Sequence, residues 1–82
     1  MYEVSFSKKA EKQFHKLPSE IQYRIISFLE RLKIRPFSIV KKLTNSPYFR
    51  ARVGEYRLIL DVIENRLIIY VIEVGHRRNV YG

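Results

Sequence analysis

The apolar residues of this chain keep two different periods, and the change between them limits the fold more than any other feature. Ala10, Phe14 and Leu17 recur at helical spacing, and so do Ile21, Ile25, Phe28, Leu29 and Leu32. Residues 48–53, 56–63 and 66–74 are instead short runs rich in β-branched and aromatic side chains, the composition of strands. Residues 2–6 alternate loosely and read as an opening strand. The expected fold is a single α+β domain over residues 1–82, in the order β-α-α-β-β-β. Its sheet is mostly antiparallel, with a helical hairpin on one face.

Punctuation supports these elements. Ser7 can cap the first helix, because its hydroxyl can accept a hydrogen bond from a first-turn backbone N–H. Pro18 breaks that helix and suits the first turn of the next. The second helix should end before Pro36, since the residue ahead of a proline is pushed out of the helical region. Residues 35–47 read as a connection, with Phe37, Ile39, Val40 and Leu43 tucking it onto the core. Gly54-Glu55 suits a two-residue hairpin turn that needs positive φ at its first position. Glu64-Asn65 is a second candidate for such a turn.

The Gly54 turn also sets a register. It places Val53 opposite Tyr56, Arg52 opposite Arg57, Ala51 opposite Leu58 and Arg50 opposite Ile59. Side chains alternate between faces along a strand, so Arg50, Arg52 and Arg57 share one face. The other face carries Phe49, Ala51, Val53, Tyr56, Leu58, Leu60 and Val62, with Leu67, Ile69 and Val71 from the last strand. That is the face the helices should cover. Ile59, Ile68, Tyr70, Ile72 and Val74 are expected beside the arginines, as an apolar interaction surface or under a covering segment.

Like charges directly opposite each other destabilise a sheet. Arg52 facing Arg57 is therefore a local cost. Either acids such as Asp61 compensate it within the chain, or an external anion such as a phosphate does. The whole composition favours an anion. Sixteen Lys and Arg against eight Asp and Glu give a formal charge of +8, and a compact domain so basic has nucleic acid as its first candidate partner. The chain has no Cys, and its two histidines, His15 and His76, are far apart in sequence. No metal site or cofactor is expected. No apolar run approaches the ~18 residues of a membrane span, and the N-terminus lacks a signal-peptide pattern. A soluble, cytoplasmic protein without membrane partners is the expectation.

Further basic residues are candidates for contacts with nucleic acid. Lys8, Lys12 and Lys16 form one helical stripe, either a solvated face or a nucleic-acid contact. Lys41, Lys42, Arg31, Lys33 and Arg35 are similarly open. His15 is expected at the surface or in helix packing. The closing GHRRNVYG places His76, Arg77, Arg78 and Tyr81 near one edge of the arginine face. His is well suited to proton transfer near neutral pH, and Tyr can exchange a proton or stack on a base.

Three segments together carry a family resemblance: FSKKAEKQFHKLP, KKLTNSPYFRARVGEYRLILDV and IEVGHRRNVY. With them the chain resembles the RelE/ParE superfamily of toxins from prokaryotic type II toxin–antitoxin modules, the RelE branch in particular. The resemblance covers nearly the whole chain. It implies a RelE-like fold and a ribosome-dependent endoribonuclease that cuts mRNA in the A site. The substrate's own 2′-hydroxyl attacks the phosphate, without a metal. It also implies a RelB-type antitoxin in a heteromeric complex, with ribosomal RNA and mRNA as further partners.

The family's catalytic positions fall at Arg50, Arg52, Arg57, Arg77 and Tyr81. Lys8, Lys12, Lys16, Lys41, Lys42, His76 and Arg78 are candidates for binding substrate or ribosomal RNA. The best-known RelE pattern has lysines where this chain has Arg50 and Arg52. An arginine stays protonated, so no general base is available at those positions, and Tyr81, His76 or the ribosome would have to supply one. Two alternatives stay open: a ParE-type toxin that inhibits DNA gyrase, and a non-catalytic RNA- or DNA-binding module.

Overall fold

In a computed structural model that describes residues 1–76, the chain runs β1 (Glu3–Phe6), α1 (Lys8–His15), α2 (Ser19–Leu32), β2 (Lys41–Lys42), β3 (Phe49–Val53), β4 (Tyr56–Ile63) and β5 (Ile68–His76). The sheet order is β1-β5-β4-β3-β2. β1 lies parallel to β5, and every other pairing is antiparallel. These two helices and one sheet face close the main core, as the change of period predicts.

Ser7 starts α1 in the expected way. Its Oγ accepts a hydrogen bond from the Ala10 N–H at 3.0 Å and donates to the Ile72 carbonyl at 2.8 Å. One hydroxyl thus caps a helix and ties it to β5. Farther along α1, the Gln13 side-chain carbonyl accepts a hydrogen bond from the Val74 N–H at 2.8 Å. β1 pairs with β5 only as far as Val71, and α1 occupies the edge beyond. Covering that edge keeps its backbone groups from pairing with another chain. Pro18 is the N-cap of α2, one position before the expected first turn, and its carbonyl accepts from the Ile21 and Gln22 N–H groups. Ile25, Phe28, Leu29 and Leu32 of α2 are buried, as their spacing requires.

The core face holds Ala51, Val53, Leu58, Leu60, Ile69 and Val71 as expected. Burying each larger aliphatic side chain there contributes about 1.5–3 kcal/mol. The structure corrects the second turn. Glu64–Arg66 form a turn of 3-10 helix closed by Leu67 in the left-handed region at φ 54°. Ile63 therefore faces Ile68, across four residues instead of two. Without a glycine, Glu64-Asn65 has no cheap route into a primed two-residue turn. Leu67 leaves the predicted core face and is 49% exposed. The longer loop adds an even number of residues, so Ile69 and Val71 still point inward.

A β-bulge corrects the far end of β5. Leu60 pairs with Val71, but Ile59 pairs with Glu73, so β5 carries one extra residue there. A bulge of this kind exchanges the two faces for everything beyond it. Val74, expected beside the arginines, is fully buried in the main core.

The connection before β3 is corrected too. Lys41–Lys42 form a short edge strand where only a loop was expected. Short, lysine-rich edges resist pairing with other sheets. Val40 packs against the main core, whereas Phe37 and Ile39 stay about half exposed. Leu43 covers Ile59 on the other face of the sheet, with Ile72 packed beside them. That small cluster explains why Ile59, predicted near the arginines, is only 4% exposed.

Candidate active site

Gly54 adopts φ 59° at the β3–β4 turn, a conformation that glycine reaches without a Cβ penalty. The turn sets Val53 against Tyr56, and the pairs that follow are Arg52 with Arg57, Ala51 with Leu58 and Arg50 with Ile59. Arg50, Arg52 and Arg57 thus share a face, in the predicted register. β2 adds a fourth cation, because Lys41 lies directly opposite Arg50. Ile39, Lys41, Arg50, Arg52 and Arg57 line a hollow of about 190 Å³.

Among the described residues, compensation of the Arg52 and Arg57 charges is scarce. The Arg52 Nε–H donates to the Gly54 carbonyl at 3.3 Å. The ion pairs among the described residues are Lys9–Glu73, Lys33–Glu30 and His76–Glu55. None of them involves Arg52 or Arg57, and Asp61 pairs with neither. A guanidinium offers a planar fork of donors that matches the oxygens of a phosphate. Several such forks fixed around one hollow can stabilise charge that builds on a phosphoryl group during displacement.

The other candidates are distributed more widely. Lys41 joins the arginines, but its neighbour Lys42 pairs with Phe49 and sits 5.9 Å from that ring, on the opposite face. His76 is also corrected. The β5 bulge places it opposite Tyr56, with the two rings 5.7 Å apart and its Nε2 3.8 Å from Glu55. It belongs to the face away from Arg57, which faces Gly75. Lys8, Lys12 and Lys16 are exposed on α1 and at its C-cap. His15 is exposed, with its ring beside Phe14. Arg77, Arg78 and Tyr81 lie outside the described residues.

The sequence reading passed over Arg24 and left Arg31 undecided. Both line a second hollow of about 510 Å³ that shares Arg52 with the first. Their seven-residue spacing, with Ser27 between them, marks one helix face; that was the available signal. Among the described residues no group of three or more His, Cys, Asp or Glu is placed to hold a metal ion. No helix there is long and apolar enough to cross a membrane.

Comparison with known proteins agrees with the fold. The family model described as ParE toxin of type II toxin–antitoxin system, parDE, matches residues 4–81. Toxin RelG of Mycobacterium tuberculosis is 30% identical over 98% of this chain and 95% of its own length. The mRNA interferase toxin RelE of Escherichia coli is 29% identical over 93% of this chain and 83% of its own. Among solved structures, the toxin–antitoxin complex RelBE2 of Mycobacterium tuberculosis contains a chain that superposes with a TM-score of 0.85. That chain is 30% identical, and the match covers 93% of this chain and 98% of the other. The intact Escherichia coli RelBE toxin–antitoxin complex gives 0.84 at 26% identity, covering 93% and 96%.

Proposed function

Because this chain belongs to the RelE branch of the RelE/ParE superfamily of type II toxin–antitoxin toxins, we propose that it is a metal-independent, ribosome-dependent endoribonuclease that cuts mRNA in the A site and so stops translation. The observation that carries this reading is the four-cation hollow of Lys41, Arg50, Arg52 and Arg57, in which Arg52 and Arg57 have no acidic partner among the described residues. The name of the Escherichia coli relative, an mRNA interferase, supports the same chemistry. A ribosomal target would place the protein's action in the cytoplasm.

In the proposed reaction the substrate's 2′-oxygen forms a bond to phosphorus and the bond from phosphorus to the 5′-oxygen breaks. The products are a 2′,3′-cyclic phosphate and a 5′-hydroxyl. Arg57 and Arg77 stabilise the charge on the phosphoryl oxygens, while Arg50, Arg52 and Lys41 hold the phosphate and ribose in line. The 2′-hydroxyl proton needs an acceptor, and the 5′-oxygen needs a donor. Permanently charged arginines cannot supply the acceptor, and His76 faces the other side of the sheet. We assign this proton traffic to Tyr81 or to a ribosomal group. The RelBE complexes among the structural relatives support a RelB-type antitoxin as the inhibitor.

The test is cleavage on programmed ribosomes. The wild type should cut the message there and leave naked RNA largely intact. Arg57→Ala and Arg77→Ala should each lose about 10²–10³-fold in rate while still binding antitoxin. Intact message on ribosomes carrying stoichiometric toxin defeats the reading. The family model that matches takes its name from ParE, which favours a second reading as a gyrase inhibitor. Inhibition of purified gyrase in a supercoiling assay would establish it in place of the first.

A further inference from the structure

Two guanidinium groups meet at Gly54. A methyl group built on its bare Cα would lie 3.2 Å from Arg24 Nη1, and the Gly54 carbonyl accepts the hydrogen bond from Arg52 Nε. The left-handed turn thus provides both a seat for Arg24 of α2 and an anchor for Arg52 of β3. Neither arginine forms an ion pair with a described residue, and the adjacent acid, Glu55, faces His76 instead. One α-helical turn or two away from Arg24 stand Ser27 and Arg31, whose guanidinium carbon lies 5.9 Å from the centre of the Phe28 ring. Tyr23, beside Arg24, is 75% exposed. These side chains line the 510 Å³ hollow. Arg52 lines both this hollow and the catalytic one, so the two meet at a single side chain.

Bringing Arg24 and Arg52 to the same turn, with no ion pair to an acid among the described residues, costs electrostatic energy that an external anion recovers. The geometry points to a second binding site: we propose that the α2–β3 groove holds the segment of single-stranded RNA flanking the cut. Arg24 and Arg31 contact the neighbouring phosphates, and Tyr23 stacks on a base. This inference rests on the nuclease reading, because that reading places the scissile phosphate next to Arg52. A cationic groove with an exposed aromatic ring is the usual means of holding a single strand without reading its sequence. Arg52 fixes the direction of travel: a strand leaving the catalytic hollow passes over it into the groove. An acidic protein segment is the competing occupant. Continuity with the catalytic hollow favours RNA, since the strand is already positioned at Arg52.

The probes are a six-nucleotide and a three-nucleotide RNA with 2′-O-methyl groups, which block attack by the 2′-oxygen. Binding is measured across a salt series. The hexamer should bind more tightly than the trimer and with a steeper salt dependence. In Arg24→Ala/Arg31→Ala the hexamer slope should fall by about 1.4, since each phosphate contact on a single strand contributes about 0.7. Trimer binding should not change. Arg24→Lys/Arg31→Lys should retain the wild-type slope, and Tyr23→Ala should weaken the hexamer at least about fivefold. Thermal melts that match the wild type show that the variants are folded.

Unchanged hexamer binding in the Ala double variant overturns the groove, whatever the ribosome assay shows. Equal losses for trimer and hexamer overturn it as well, since they indicate only a general loss of charge. So does a variant that keeps the hexamer and loses an acidic antitoxin peptide, an outcome that makes the groove a protein-docking surface. Conversely, intact message on programmed wild-type ribosomes defeats the nuclease reading alone, whatever the oligonucleotides show.

Discussion

The two faces of the β3–β4 hairpin follow opposite rules. On the helix-covered face, Leu58 and Leu60 are fully buried, and the sheet residues there pack against apolar atoms of α1 and α2. On the other face, Arg52 and Arg57 confront each other, and neither forms an ion pair with a described acid. Neighbouring residues of one strand therefore contribute in opposite ways. Leu58 supports folding, whereas Arg57 opposes Arg52 at a small cost to folding, and the proposed function gives it a part in the reaction. Local choices that conflict with stability are expected where function is held. Only a firm core on the opposite face lets a domain of this size tolerate them.

Adjacent substitutions offer the strongest way to break this contrast. Leu58→Ala should destabilise the domain by about 2–5 kcal/mol, from lost transfer energy and the cavity left behind. Arg57→Ala should melt like the wild type while losing cleavage on programmed ribosomes. Denaturant titration and the ribosome assay, run on both variants, give the two readouts. If Arg57→Ala unfolds as readily as Leu58→Ala, the division between faces is wrong.

The bulge in β5 allows a sharper test, because it decides which of two neighbours belongs to the core. Val74 is fully buried, while Glu73 pairs with the exposed Lys9 at 3.4 Å. Val74→Ala should cost about 1.5–3 kcal/mol. Glu73→Ala should cost under about 1 kcal/mol, the usual worth of an ion pair near the surface. A strand without the bulge predicts the reverse ranking. Urea midpoints of the two variants distinguish the alternatives.

The same strand shows what the sequence could reveal. The register of Arg50, Arg52 and Arg57 was legible because Gly54 names its turn type, and a two-residue turn fixes every pair after it. Ile69 and Val71 came out on the correct face although their loop is two residues longer than expected, because a shift of two preserves alternation. Val74 and His76 did not, because the bulge at Ile72 and Glu73 carries no glycine and leaves the composition of the strand unchanged. What stabilises the bulge is tertiary: the Ser7 hydroxyl on the Ile72 carbonyl and the Gln13 side chain on the Val74 N–H. Those partners are more than sixty residues away along the chain. Lys41 was missed as a member of the arginine cluster for a related reason. A two-residue lysine strand has no pattern of its own and exists only because β3 pairs with it.

The smallest effect concerns the cost of the arginine pair itself. Opposed like charges on a sheet disfavour it by a few tenths of a kcal/mol up to about 1 kcal/mol. Arg57 is the cleaner member to neutralise, because Arg52 also donates to the Gly54 carbonyl and its loss would mix two effects. Arg57→Gln keeps most of the side chain's length and removes its charge. It should raise stability by a few tenths of a kcal/mol in low salt. Salt should erase the gain, since at 1 M the screening length shrinks to about 3 Å and the two guanidinium groups no longer sense each other. Melting curves of wild type and variant should therefore converge as salt rises, with the wild type gaining more. A variant less stable than the wild type in low salt would mean that the chain itself supplies Arg57 with a partner, and the case for an external phosphate would lose its electrostatic basis.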